Sequence, residues 1–144
     1  MRREKAIGDA GEAAAVVFLE AQGFRIVDTN VRFGAKISDK ENRLRGELDI
    51  VAWEDNALCF VEVKTRTTTP ENADESPAEA VSKSKQAQIV RLALAYAAQG
   101  GLLSEDGAVP LRFDVVAVRR VWKRGREDFS CELIRSAFYP PEGD

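Results

Sequence analysis

The stretch Gly46-Glu47-Leu48-Asp49-Ile50-Val51, followed shortly by Phe60-Val61-Glu62-Val63-Lys64, sets up two apolar runs that each carry one carboxylate. Strands keep charges at their ends or on a solvated face. Asp49 and Glu62 instead fall inside runs that read as buried strand. A tight turn centred on Asp55-Asn56 folds the runs into a hairpin in which partner numbers sum to 111. Trp53 then faces Leu58, Asp49 faces Glu62 and Glu47 faces Lys64. Opposed Cβ atoms lie about 4.5–5.5 Å apart, where like charges repel. Two carboxylates held so close want a cation between them, as in a hard-metal site.

The alternation of the second strand supports this reading. Leu58, Phe60, Glu62, Lys64 and Arg66 share one face, and Cys59, Val61, Val63 and Thr65 the other. The even face starts apolar and turns charged toward the C-terminal end, whereas a merely solvated face is polar along its length. The plainer alternative is an edge whose Glu62 and Lys64 only discourage aggregation. With Asp49 in register, the site reading takes precedence.

The 144 residues suffice for a single domain, 1–144, with a real core, and the tail from about residue 139 is expected to fray. A charged fraction of 31% fits a soluble globular protein rather than a disordered chain. The absence of histidine excludes Ser-His-Asp and Cys-His catalysis and any His-containing zinc site. Cys59 and Cys131, the only cysteines, lie in apolar alternating runs. They cannot build a four-thiolate zinc site, and core roles in a reducing cytoplasmic setting are expected. The apolar run after Met1-Arg2-Arg3-Glu4-Lys5 is broken by Asp9 and Glu12, unlike a signal-peptide core. No run reaches membrane-spanning length. With a net charge of −3, any nucleic-acid surface must be a local patch. Arg119-Arg120-Val121-Trp122-Lys123-Arg124-Gly125-Arg126 is the best candidate, and a solvated hairpin tip is the competing reading.

Periodicity predicts a first helix from about Glu4 to Gln22, stopped by Gly23. Ala10, Ala13, Ala14, Val17, Phe18 and Ala21 form one apolar face; a second stripe contains Gly8, Ala15, Val16 and Leu19, with Glu12 on it. A strand begins at Phe24, a polar loop covers Gly34 to Arg45, and another follows the hairpin from Thr67 to Ser76. A long helix from about Pro77 to Gln99 ends at Gly100-Gly101, and strands follow at Leu111 to Val118 and Phe129 to Ala137. The order is α-β-β-β-α-β-β. A meander joined by a helical crossover to a strand parallel to the third gives an α/β fold with a mixed central sheet flanked by helices.

In the long helix Val81, Lys85, Ile89, Leu92 and Tyr96 recur at near-helical spacing. Lys85 either snorkels from the core edge or points at the carboxylates. Lys83, off the stripe, should be solvated. Gly-rich phosphate loops and EF-hand patterns are absent. A two-carboxylate glycosidase would need more separation than Asp49 and Glu62 allow without a cation, and Lys64 favours phosphate over sugar chemistry.

Gly11-Glu12 before an Ala-rich helix, Asn30-Val31-Arg32, Gly46-Glu47-Leu48-Asp49, Phe60-Val61-Glu62-Val63-Lys64 and Arg112-Phe113-Asp114-Val115-Val116 occur in this order. Together they resemble the YraN-like uncharacterised bacterial proteins over nearly the whole chain. That family looks like a branch of the PD-(D/E)xK nuclease superfamily, similar to archaeal Holliday-junction resolvases. The resemblance implies a restriction-endonuclease-like fold and magnesium-dependent cleavage of DNA phosphodiesters. By position, Asp49, Glu62 and Lys64 match the catalytic core and Glu12 the first-helix acid. Leu48 stands where the superfamily name expects proline, and the Gly34 to Arg45 segment is longer than usual for the family.

On this basis Asp49, Glu62, the Val63 carbonyl and Glu12 are the expected ligands of Mg²⁺, with Mn²⁺ a substitute. Lys64 is expected to position the attacking water and stabilise developing charge, while Lys85 and Gln88 contact phosphate. The expected partner is DNA, branched DNA included, and a homodimer is one arrangement open to the chain. The rival expectation is a catalytically silent module that grips nucleic acid or serves an assembly on a nuclease-like scaffold.

Overall fold

Two-residue turns and one long crossover determine how the strands assemble. A computed structural model describes residues 2–34, 44–69, 71, 81–104 and 107–141. The elements are α1 (Arg2–Ala21), β1 (Arg25–Phe33), β2 (Gly46–Glu54), β3 (Ala57–Thr67), α2 (Lys83–Gln99), β4 (Leu111–Lys123) and β5 (Arg126–Phe138). The strands form one sheet in the order β1-β2-β3-β4-β5. All neighbours are antiparallel except β3 and β4, which run parallel. This is the expected α-β-β-β-α-β-β order with a mixed five-stranded sheet between two helices.

The β2–β3 hairpin takes the expected register. Trp53 pairs with Leu58 and Ile50 with Val61, around a turn in which Asp55 adopts φ 51°. The alternating side chains feed two cores. Val51, Leu58, Phe60 and Phe113 meet Ile89 and Leu92 of α2 on one face. Ile50, Ala52, Cys59, Val61 and Val116 meet Ala15 and Leu19 of α1 on the other.

Of the two stripes on α1, the one that carries Glu12 is the core stripe. Ala15 and Leu19 are fully buried, while Val17 is 67% exposed. Alanines suit either side of a helix, so the choice falls to close approach. A Cβ added at Gly11 would overlap Thr65 Oγ1, so the glycine lets the helix lie directly on β3. The helix stops at Gly23, at φ 99°, and Phe24 N–H donates to Leu19 O at 3.0 Å.

Helix α2 begins later than the expected Pro77. Ser82 is its N-cap, accepting the Lys85 N–H at 3.2 Å, and the helix starts at Lys83. Val81 is buried just ahead of the cap. Strands β4 and β5 run further than Val118 and Phe129, meeting at a turn of Arg124 (φ 53°) and Gly125 (φ 76°). Two left-handed residues suit the twist of a two-residue hairpin turn.

Several expected features lie wholly or partly outside the described residues: 35–43 of the first loop, 70 and 72–76 of the second, 77–80 of the expected second helix and 142–144 of the tail. Tyr139 to Pro141 carry no regular structure. Among the described residues, no helix is long and apolar enough to cross a membrane.

Candidate metal and catalytic site

Past Ile50–Val61 the β2–β3 ladder stops, one pair before Asp49 and Glu62. Asp49 Oδ2 instead accepts the Val63 N–H at 2.9 Å. This corrects the expectation of two carboxylates opposed in an unbroken ladder: the register holds, but the strands part where the acids begin. Leu48 and Val51 both pack on the α2 side, so alternation is lost across Asp49. Opposite, β1 has a register shift between Ile26 and Asp28 and a left-handed Asn30 at φ 52°. Irregularities of this kind re-aim side chains beside a site.

The re-aimed Asp49 meets α1. One carboxylate oxygen each from Glu12, Glu47 and Asp49 lies within 4.8 Å of the others. With its amide oriented to satisfy its neighbours, Asn30 donates to Glu47 Oε1 at 2.7 Å and Glu12 Oε2 at 3.1 Å. Arg32 Nε lies 3.4 Å from Glu47 Oε2. These groups line an open cleft of about 430 Å³, which Lys5, Asp9, Glu62 and Val63 share.

Glu62 is 7% exposed. Burial, and then the negative charge of Asp49, push its carboxyl up to about 8, against the pull of Lys85 and Lys64. Glu12 is raised to about 7 by burial, then by Asp49 and Glu47. The structure thus brings Asp49, Glu62, Glu12 and the Val63 backbone together. Lys64 and Lys85 stand near enough to Glu62 to oppose its shift. Lys85 is half-buried and its charge reaches Glu62, and Lys83 is exposed as expected. Gln88 Nε2 donates to Arg45 O at 2.7 Å, pinning the chain at the entry to β2.

Sequence reasoning missed two members of the cluster. Glu47, expected opposite Lys64, shares a strand face with Asp49 through their two-residue spacing. Nothing in the spacing marked Asn30. Glu12, Glu47, Asp49 and Glu62 all offer carboxylate oxygens, a set that fits a hard divalent cation such as Mg²⁺ or Mn²⁺.

A second acidic cluster lies further along the same sheet. Asp114, fully buried, accepts Arg112 Nε at 2.9 Å and Ser136 N–H at 2.9 Å. Glu54 accepts Arg112 Nη2 at 2.6 Å and Arg135 Nε at 2.8 Å. The hydrogen bond from Arg135, aided by Arg112, lowers Glu54 to about 2. Cys59 beside it is pushed up to about 12 by burial and then by Asp114, so its thiol is a core group and no nucleophile.

Known proteins give the relatives. A model of the uncharacterised protein family UPF0102 matches residues 11–118. A UPF0102 protein of Symbiobacterium thermophilum is 42% identical over 133 residues, covering 92% of this chain and 96% of the relative. One from Chlorobaculum parvum is 40% identical over 134 residues, covering 92% and 91%. One from Bacteroides thetaiotaomicron is 40% identical over 141 residues, covering 98% of each. These matches bear out the resemblance to the YraN-like proteins: the chain belongs to the uncharacterised protein family UPF0102.

Proposed function

We propose that this protein is a metal-dependent endonuclease that hydrolyses DNA phosphodiesters, with branched or junction DNA as its candidate substrate. The observation that carries the reading is the convergence of Glu12, Glu47, Asp49 and Glu62 on one cleft, with burial and mutual repulsion raising Glu12 and Glu62. Such a cluster costs stability in the bare protein, and a divalent cation removes that cost. The YraN-like resemblance to PD-(D/E)xK nucleases points the same way.

Asp49, Glu62, Glu12 and the Val63 carbonyl would hold Mg²⁺ or Mn²⁺, with Glu47 added by its place in the cluster. A cation bound there supplies Lewis-acid polarisation of the phosphate and a more acidic water. Lys64 orients the attacking water and stabilises charge developing on the phosphate oxygens. Lys85, across Glu62 from α2, holds a neighbouring phosphate, and Gln88 joins it through the amide N–H not given to Arg45. A homodimer would present two such clefts to the paired strands of a junction.

The second reading, a silent nucleic-acid-binding or assembly module, draws on the net charge of −3, which offers DNA no global attraction. Purified protein incubated with linear, flapped and four-way DNA in Mg²⁺, Mn²⁺ or EDTA separates the two. Cutting that requires the metal and is lost in Glu62→Gln supports the nuclease. Intact DNA of every shape in both metals leaves the silent module.

A further inference from the structure

The β4–β5 hairpin continues beyond the sheet's other strands. The last β3–β4 pair is Thr67 with Arg120, while β4 runs on to Lys123. Between residues 119 and 128 lie five basic and two acidic residues, in a chain whose net charge is −3. Two acids are already engaged: Arg120 Nε lies 2.7 Å from Glu127 Oε2, and Lys123 Nζ 3.8 Å from Asp128 Oδ2. Among the described residues Arg124 and Arg126, at the turn, carry no ion pair. The hairpin tip is therefore a local positive site on an acidic protein.

Within it stands an exposed aromatic. Trp122 is 60% exposed, and the Arg120 guanidinium lies 5.1 Å from the centroid of its ring. The indole shows most of its surface to solvent among cations, the combination that holds an unpaired nucleotide by base stacking and phosphate contact.

The register ties the tip to the cleft. Val63, Thr65 and Thr67 of β3 lie beside Val116, Val118 and Arg120 of β4. Val63 and Thr65 line the acidic cleft. The next residue of that row on β4 is Trp122, about 20 Å along the strand from the level of Val63 at roughly 3.3 Å per residue. That distance spans about six stacked nucleotides at 3.4 Å each.

We propose that the β4–β5 hairpin tip is a single-strand-binding element in which Trp122 stacks on an unpaired base while Arg124 and Arg126 contact its phosphates. It rests on the nuclease reading and narrows the substrate to DNA with unpaired nucleotides about six positions from the scissile phosphate. Bases inside a duplex are already stacked on each other, so the indole discriminates by strandedness and not by sequence.

Fluorescence anisotropy in EDTA tests the element apart from catalysis, using labelled single-stranded, blunt-duplex and flapped DNA. Trp122→Ala should weaken single-stranded and flapped DNA binding about tenfold, the scale of one base–aromatic stack, with blunt-duplex affinity and melting temperature unchanged. Trp122→Phe should restore most of the loss. Equal affinities of wild type and Trp122→Ala on all three DNAs, or an equal loss on the blunt duplex, overturns the proposal. The metal-free assay leaves the nuclease reading to its own test: a protein that never cuts can still pass here, and one that cuts can fail.

Discussion

Glu54 and Glu62 belong to the same hairpin, yet one carboxyl is drawn down to about 2 and the other driven up to about 8. Around Glu54, Arg112 and Arg135 deliver charge-assisted hydrogen bonds, and Arg112 also satisfies the buried Asp114. Around Glu62 burial acts first and another acid, Asp49, adds to it, while the two lysines only moderate the rise. The first cluster is complete within the chain. The second gathers acids that raise one another. Burial raises both carboxyls, and only at Glu54 do arginines reverse it.

The largest expected effect falls on the completed cluster. Arg112→Ala strands Asp114 without its main partner, and truncating one member of a buried ion pair costs about 3–5 kcal/mol. Urea denaturation should show that loss, and a change below about 1 kcal/mol would mean that Asp114 does not depend on Arg112. The same experiment on the open cluster should give no comparable loss.

Next comes catalysis. Lys64→Ala should lower metal-dependent cleavage about 10²–10³-fold, the usual worth of one group aimed at developing charge, with DNA affinity nearly unchanged. A variant that cuts at the wild-type rate, in a preparation free of contaminating nuclease, removes Lys64 from the mechanism.

The comparison sharpens further with pH. Glu62 and Glu12 hold protons in the folded state that the unfolded chain releases above about 4.5. Their contribution to stability is therefore intact below 4.5 and lost as pH rises through about 7 and 8. Glu54 works in the opposite sense: its contribution is present above 4.5 and lost as pH falls toward 2. In EDTA, Glu62→Gln should stabilise the protein at pH 9 by about 1–2 kcal/mol, the worth of about one pKa unit or slightly more, and flatten the alkaline limb of its melting curve. Mg²⁺ should flatten the same limb in wild type. An alkaline limb identical in wild type and variant would disconnect Glu62 from it.

The smallest effect concerns Asn30, which joins Glu12 to Glu47 from a left-handed backbone. Glycine keeps that backbone at little cost and removes only the amide. Asn30→Gly should then weaken Mn²⁺ binding about tenfold, the lower range for a residue that orients metal ligands, with melting temperature little changed. Unaltered Mn²⁺ affinity by titration calorimetry would reduce Asn30 to a backbone role.

The hairpin was legible because its evidence is local. A two-residue turn and an alternating pattern determine register, and Ile50–Val61 follows from them. The parallel β3–β4 pairing was legible from the intervening helix. The core side of α1 was not, since alanine accepts burial or exposure and the deciding contact, Gly11 on Thr65, lies far apart in sequence. Nor was the fate of Asp114: its partner Arg112 is two residues away, but Ser136 contributes from a distant strand. The break beyond Ile50–Val61 also escaped, because alternation on paper assumes an ideal strand, and the adjacent β1 carries a register shift and a left-handed Asn30.

The parallel crossover also separates the two clusters in time. Asp49 and Glu62 are joined by a two-residue turn, the kind of contact that closes in about 1–10 μs. Arg112 must find Glu54 across 58 positions of sequence and Arg135 must find it across 81. Loop-closure entropy and non-local pairing make such contacts late. On a chain emerging during synthesis, Asp49 and Glu62 are in place before Arg112 and Arg135, which lie further along the sequence. The ion network around Glu54 is the late event that locks the sheet around that hairpin.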